Sequence, residues 1–278
     1  MSLETKSDNA GDPFAGFKAV QRDAWALFAP LEVVTMVPAA KLVKFAGIKA
    51  GQRHLDVACG TGVVPVTAAR RGAIVSALDL APVLLERARR NAEIAEVAIE
   101  FTEGDVEALP YADASFDVVT SQFGHIFAPR PMIAIGEMLR VLKPGGTIAF
   151  NTWPPELFVG KQIDVLMRYA PPPPPGAPQP PSPMDWGKPD VVRERLGDAV
   201  TDLRFDRDVA MVPSLSPQHT RLIQEETLGL LRNILAANRD QPAKLAEVRA
   251  AYEALIAENF EDNQLRQSFL MTRATKRS

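Results

Sequence analysis

The residues best suited to chemistry lie in the run Arg53-His54-Leu55-Asp56-Val57-Ala58-Cys59-Gly60-Thr61-Gly62-Val63-Val64. It reads as a short buried strand, a tight turn with two glycines, and the start of a helix that continues to Arg71. Such a turn leaves unpaired backbone N–H groups and the positive end of a helix dipole beside an open crevice. Gly60 and Gly62 let a ligand approach where a Cβ would intrude. Asp56, at the strand's end, separates this turn from one built for pyrophosphate alone, because a carboxylate there favours a ligand that carries positive charge. A dinucleotide fingerprint needs a third glycine, and Pro65 occupies that position.

Asp-Val-Ala-Cys-Gly-Thr-Gly resembles the first motif of the class I S-adenosylmethionine-dependent methyltransferases, with Ala58 where many members carry another glycine. Two later stretches follow in the family's order. Ala73-Ile74-Val75-Ser76-Ala77-Leu78-Asp79 is an apolar run ending in an acid. A carboxylate about twenty residues past the first turn can accept both hydroxyls of a ribose; the other reading of Asp79 is an N-cap for a helix opened by Pro82. Glu103-Gly104-Asp105-Val106-Glu107-Ala108-Leu109-Pro110-Tyr111 is similar to the family's adenine-binding segment. The resemblance implies that Asp105 accepts from the adenine amino group and that Val106 donates its amide. It also implies contacts to S-adenosylmethionine from Ala58, Gly60, Thr61, Gly62, Leu80 and Gln122, besides Asp56 and Asp79. The Leu142-Lys143-Pro144-Gly145-Gly146 entry to a fifth strand completes a match over about 50–152, closest in kind to the ubiquinone/menaquinone-methyltransferase-like, small-molecule branch.

The elements that must hold these residues are legible as alternating strands and helices. Strands are expected at 53–58, 73–79, 98–102, 116–121 and, after the Pro144-Gly145-Gly146 turn, up to Phe150, and helices at 62–71, 82–95 and from Pro131. Four strand–helix units imply a doubly wound, mostly parallel sheet of the α/β class, seven-stranded by the resemblance, with added helices forming a lid. Residues 1–13 read as disordered, and 14–278 as one methyltransferase domain with its core at 50–152. Segments 14–49, 153–200 and 214–262 fall outside that core as substrate-side or lid elements. They include a helix at 14–28 with Phe17, Val20, Ala24 and Phe28 on one face and an extended proline tract at 171–183. Helices opened by Pro217 and Pro242 follow, and an antiparallel last strand falls around Phe269–Met271. The apolar faces within 214–262 suit either a lid or a homodimer interface.

Composition narrows the partners. A net charge of −3 over 278 residues gives no general attraction to nucleic acid or anionic membranes. Cys59 is the only cysteine, which suits a reducing, cytoplasmic setting, and no apolar stretch is expected to span a bilayer. No metal-ligand spacing is visible. In an open α/β sheet the ligand sits beyond the carboxyl ends of the strands. The methyl acceptor is therefore expected past the fourth and fifth strands, against Phe123, Phe127, Trp153 and Trp186, with a small apolar or aromatic molecule as the preferred class. His125 is the candidate general base, a structural histidine being the other reading. The rival functions are a NAD-dependent oxidoreductase and a non-catalytic S-adenosylmethionine-binding protein.

Overall fold

A computed structural model describes residues 12–172, 176 and 178–278. The expected disorder of 1–11, and the part of the proline tract at 173–175 and 177, lie outside the described residues. Asp12 and Pro13 are described, and Asp12 is fixed: its Oδ1 accepts from the Phe14 amide at 2.9 Å.

The core is one sheet with helices on both faces. Five parallel strands, β1 (Arg53–Val57), β2 (Ile74–Asp79), β3 (Ile99–Glu103), β4 (Phe116–Gln122) and β5 (Leu142–Thr152), are followed by β6 (Val200–Pro213), the short β7 (Phe260–Glu261) and β8 (Gln264–Lys276). Their spatial order is β3-β2-β1-β4-β5-β8-β6, with β7 paired to β8. β8 runs antiparallel to both β5 and β6, as anticipated. Leu55, Val57, Ala77, Leu78, Val118, Val119, Ile148 and Phe150 are buried in the sheet's interior, as parallel strands covered on two faces require.

On one face lie α2 (Glu32–Ala46), α3 (Val63–Ala69) and α4 (Pro82–Ile94). On the other lie α5 (Pro131–Val141) and α7 (Pro189–Leu196). A separate apolar cluster joins α6 (Phe158–Met167), α9 (Gly229–Ala237) and α10 (Pro242–Glu258) around Tyr252 and Phe158. Among the described residues five α-helices begin on proline: α4, α5, α7, α8 (Pro217–Thr227) and α10. The missing N–H costs nothing in a first turn, and the fixed φ is already helical. Before α8, the Ser216 hydroxyl also caps, accepting from the His219 amide.

Three expectations need correction. No helix joins β3 to β4; residues 104–115 make that connection as a loop, so only three of the parallel strands carry a helix back. The first helix, α1 (Ala15–Trp25), is shorter than 14–28 and gives way to a 3₁₀ turn at Ala26–Leu31. Its buried side chain is Lys18, whereas Val20 is 63% exposed. The continuous helical run Ala15–Ala46 also has the length and apolar character (mean hydropathy 1.6) that a membrane span needs, contrary to the reading of the sequence. Its inner residues Ala39, Leu42, Val43 and Ala46 belong to the core of the sheet sandwich.

Candidate active site

The expected acids converge at the carboxyl ends of β1, β2 and β3, but each in its own state. After β1 the chain turns through three positive φ values, Ala58 at 52°, Gly60 at 55° and Gly62 at 81°. Ala58 thus holds a conformation that costs an alanine about 1–2 kcal/mol, which explains the glycine common at that position. A Cβ on Gly60 would meet nothing within 4 Å, so the loop fronts open space. A Cβ on Gly62 would press on Ala88 at 3.0 Å, so this glycine serves the packing of α3 on α4.

Asp79 ties two turns together. Its Oδ2 accepts from the Gly60 amide at 2.7 Å and its Oδ1 from the Ala81 amide at 2.9 Å. Asp79 is not the N-cap of α4, which is Ala81 with no side-chain cap; its carboxylate instead orders the turn before that helix while lying against the glycine loop. Asp56 is 1% exposed, and its Oδ1 accepts from the Thr120 hydroxyl at 2.5 Å. Thr120 in turn meets His54 Nε2 at 2.7 Å. Burial, helped by the negative charge of Asp79 and opposed by the Thr120 hydroxyl, pushes Asp56 up to about 8. Burial thus favours its uncharged form.

Asp105 is the most connected of the three. Its Oδ1 accepts from the Glu107 amide at 2.9 Å, and its Oδ2 from Lys18 Nζ at 2.6 Å. Lys18 also donates to Asp12 Oδ2 at 2.7 Å and Glu107 Oε2 at 2.6 Å. The Arg130 guanidinium joins from the start of α5, reaching Glu107 at 2.6 Å and Asp12 at 3.1 Å. Asp12, Asp105 and Glu107 are the one group of acids among the described residues close enough together to hold a metal ion, and the Lys18 ammonium lies among them. Burial draws the Lys18 pKa down, but hydrogen bonds to the three carboxylates outweigh it and hold the amine above its ordinary value. Nothing in the sequence patterning pointed to Lys18, Glu107 or Arg130; the one available signal was a lysine interrupting the apolar helix.

On the acceptor side the expected aromatics separate into two groups. Phe123 (φ 61°) stacks on Trp153 with centroids 3.9 Å apart and planes 11° from parallel, and Phe269 meets it edge-on at 5.5 Å. Phe127 packs against Trp25 of α1 at 4.7 Å. Gln122 donates to the Thr35 carbonyl of α2 at 3.0 Å, drawing that helix over the tip of β4. The tips of β1 and β4 abut: a Cβ on Gly124 would lie 2.4 Å from that of Ala58.

His125 and Trp186 do not belong here. His125 is 0% exposed and packs between Phe150 at 4.6 Å and Trp186 at 4.9 Å, in the α5–α7 side of the core. Desolvation, with a smaller push from Arg195, pulls its pKa down to about 3. A sealed, neutral imidazole cannot relay protons to a crevice, so His125 is not a general base. Trp186 is 1% exposed and lines no acceptor site.

Comparison with known proteins agrees with this geometry. A methyltransferase-domain family matches residues 55–150. An uncharacterised protein of Mycobacterium tuberculosis is 35% identical over 92% of this chain and 93% of its own length. The demethylmenaquinone methyltransferase of Clavibacter sepedonicus is 40% identical over 126 residues, 44% of this chain and 51% of that protein. Among solved structures, a phosphoethanolamine N-methyltransferase of Haemonchus contortus shares the fold, with a TM-score of 0.54 and 18% identity over 87% of this chain and 53% of the other. The chain belongs to the class I S-adenosylmethionine-dependent methyltransferases. It is a methyltransferase, its methyltransferase domain spanning residues 55–150.

Proposed function

We propose that this chain binds S-adenosylmethionine across the tips of β1–β3 and methylates a small apolar or aromatic acceptor held at the tips of β4 and β5. The observation that carries the acceptor class is the Phe123–Trp153 stack beside the glycine loop. Phe123 keeps a backbone conformation that a bulky residue seldom adopts, and such outliers persist where a side chain must be aimed. The residues present fit the cofactor. Gly60 fronts free space, Asp79 lies against the glycine loop where a ribose would come, and Asp105, which would take the adenine, keeps its side chain 27% exposed. Asp56 is the acceptor for the cofactor's ammonium.

When bound, S-adenosylmethionine supplies an electrophilic methyl group on a positively charged sulfur. The chain's part is positioning and drying. Alignment of two reactants can contribute on the order of 7–11 kcal/mol, and the aromatic walls exclude water that would solvate the charge being lost. Aromatic faces also favour the cation. With His125 sealed away, the acceptor must arrive as a competent nucleophile. The Clavibacter relative acts on demethylmenaquinone by its name, which supports a quinol-like acceptor, although the match covers less than half of this chain. We further propose a cytoplasmic location, consistent with the single, buried cysteine.

The test is calorimetry with S-adenosylmethionine and with NADH, followed by incubation of the protein with methyl-labelled cofactor and a panel of quinols, phenols, fatty acids and polar amines. Binding of S-adenosylmethionine alone, with label passing to an apolar or aromatic panel member, is expected. Transfer confined to the polar amines would sink the acceptor class, and NADH binding without S-adenosylmethionine binding would sink the cofactor assignment.

A further inference from the structure

We propose that Lys18 is the fastening of a gate: α1 closes the nucleoside end of the cofactor site, and cofactor exchange requires the Lys18 node to open. The inference rests on the cofactor reading above and adds to it the element that controls entry. Lys18 spends its three N–H donors on three carboxylates, one on the same strand-tip loop as the adenine position (Asp105), one beside it (Glu107) and one preceding its own helix (Asp12). It is 6% exposed, so these bonds are made away from solvent. Arg130 closes the ring from α5 through Glu107 and Asp12. The node therefore joins the N-terminal helix, the β3–β4 loop and the segment before α5.

A surface ion pair would hold nothing shut. A buried cation between carboxylates is different, because removing one partner leaves uncompensated charge, and Lys18 is the buried residue of α1. Asp105 has both carboxylate oxygens engaged, Oδ2 with Lys18 and Oδ1 with the Glu107 amide. Each oxygen keeps a second lone pair, so the node can re-form over a bound nucleoside. Entry and exit both need it broken, whereas the closed state with cofactor inside retains it.

The experiment is stopped-flow tryptophan fluorescence with S-adenosylhomocysteine as the probe, on wild type, Lys18→Met and Asp12→Asn, with amide hydrogen exchange on the ligand-free proteins. Asp12→Asn keeps an oxygen for the Phe14 amide and leaves Asp105 untouched. In Lys18→Met, association and dissociation rates should both rise by about tenfold, the effect of a barrier lowered by one decade of rate. The dissociation constant should move by less than about threefold, and exchange over Ala15–Trp25 should quicken without ligand. Asp12→Asn should shift the same quantities the same way by less, and it decides the matter if Lys18→Met does not fold. Unchanged rates in a folded variant overturn the gate while leaving the cofactor reading intact. So does faster dissociation with an unaltered association rate, since Lys18 would then be an ordinary contact. Wild type that does not bind the probe overturns the cofactor reading, and the gate with it.

Discussion

Two buried titratable side chains make opposite demands on pH. Asp56 keeps its proton in the folded protein up to about 8, while an unfolded aspartate releases it near 3.8. Folding therefore takes up a proton in that window, and this residue's share of stability falls as pH rises through it. Asp56→Asn should flatten the decline in melting temperature between pH 5 and pH 8, an interval inside that window, as read by calorimetry at several pH values. In wild type, binding the cationic cofactor at neutral pH should release a proton, seen as a buffer-dependent binding enthalpy. His125 works in the other direction. Its folded pKa is depressed from 6.5 to about 3, so its contribution is complete above 6.5 and lost as pH falls through that range. His125→Leu should shift acid unfolding, followed by circular dichroism, to lower pH and leave kcat within about threefold of wild type, because the ring touches no reacting group. Loss of turnover in a folded variant would restore the base. Asp56, Asp79 and Asp105 were legible because each sits at a fixed offset from a strand end. The fates of His125 and Trp186 were not, because a loop residue's face is decided by tertiary packing.

The loop that replaces a helix between β3 and β4 needs its own supports, and α5 provides them. Arg140 donates to the carbonyls of Tyr111 at 2.7 Å and Leu109 at 2.9 Å and to Asp113 at 2.8 Å. Glu137 accepts from the Leu109 amide at 2.8 Å and pairs with Arg140 at 2.6 Å. These bonds stand in for the backbone ladder that a helix would have brought, and they fix the segment that carries Asp105. Arg140→Ala should cost about 1–3 kcal/mol in denaturant unfolding. It should also raise the cofactor dissociation constant while leaving kcat at saturation nearly unchanged. Equal losses in kcat and affinity would argue that the loop serves the acceptor instead. Strand and helix positions were readable from apolar runs and proline starts, to within a few residues. The fourth strand–helix unit was overcounted, since Glu103–Tyr111 resembled a cofactor segment and offered no helical pattern of its own.

At the scale of the whole molecule, α1 is braced by a distant part of the chain. The start of α9 rests on the end of α1 so closely that a Cβ on Gly229 would lie 2.8 Å from that of Ala24 and 3.0 Å from its carbonyl oxygen. Gly229→Val should loosen α1, costing about 1–3 kcal/mol by overpacking. Hydrogen exchange over Ala15–Trp25 should accelerate while β1 and β4 stay protected; unaltered exchange there would show that α9 does not brace the helix. That pairing was unreadable in advance, since small residues 205 positions apart carry no signal of their meeting.

The order β5-β8-β6 has a consequence for biogenesis. β8 follows both β5 and β6 in the chain, yet it fills the place between them in the sheet. A nascent chain that has not yet released Gln264–Lys276, or one halted by a premature stop before it, leaves β5 and β6 each with a bare row of amides and carbonyls. Quality control during translation therefore has two sticky edges to shield until β8 slides between them.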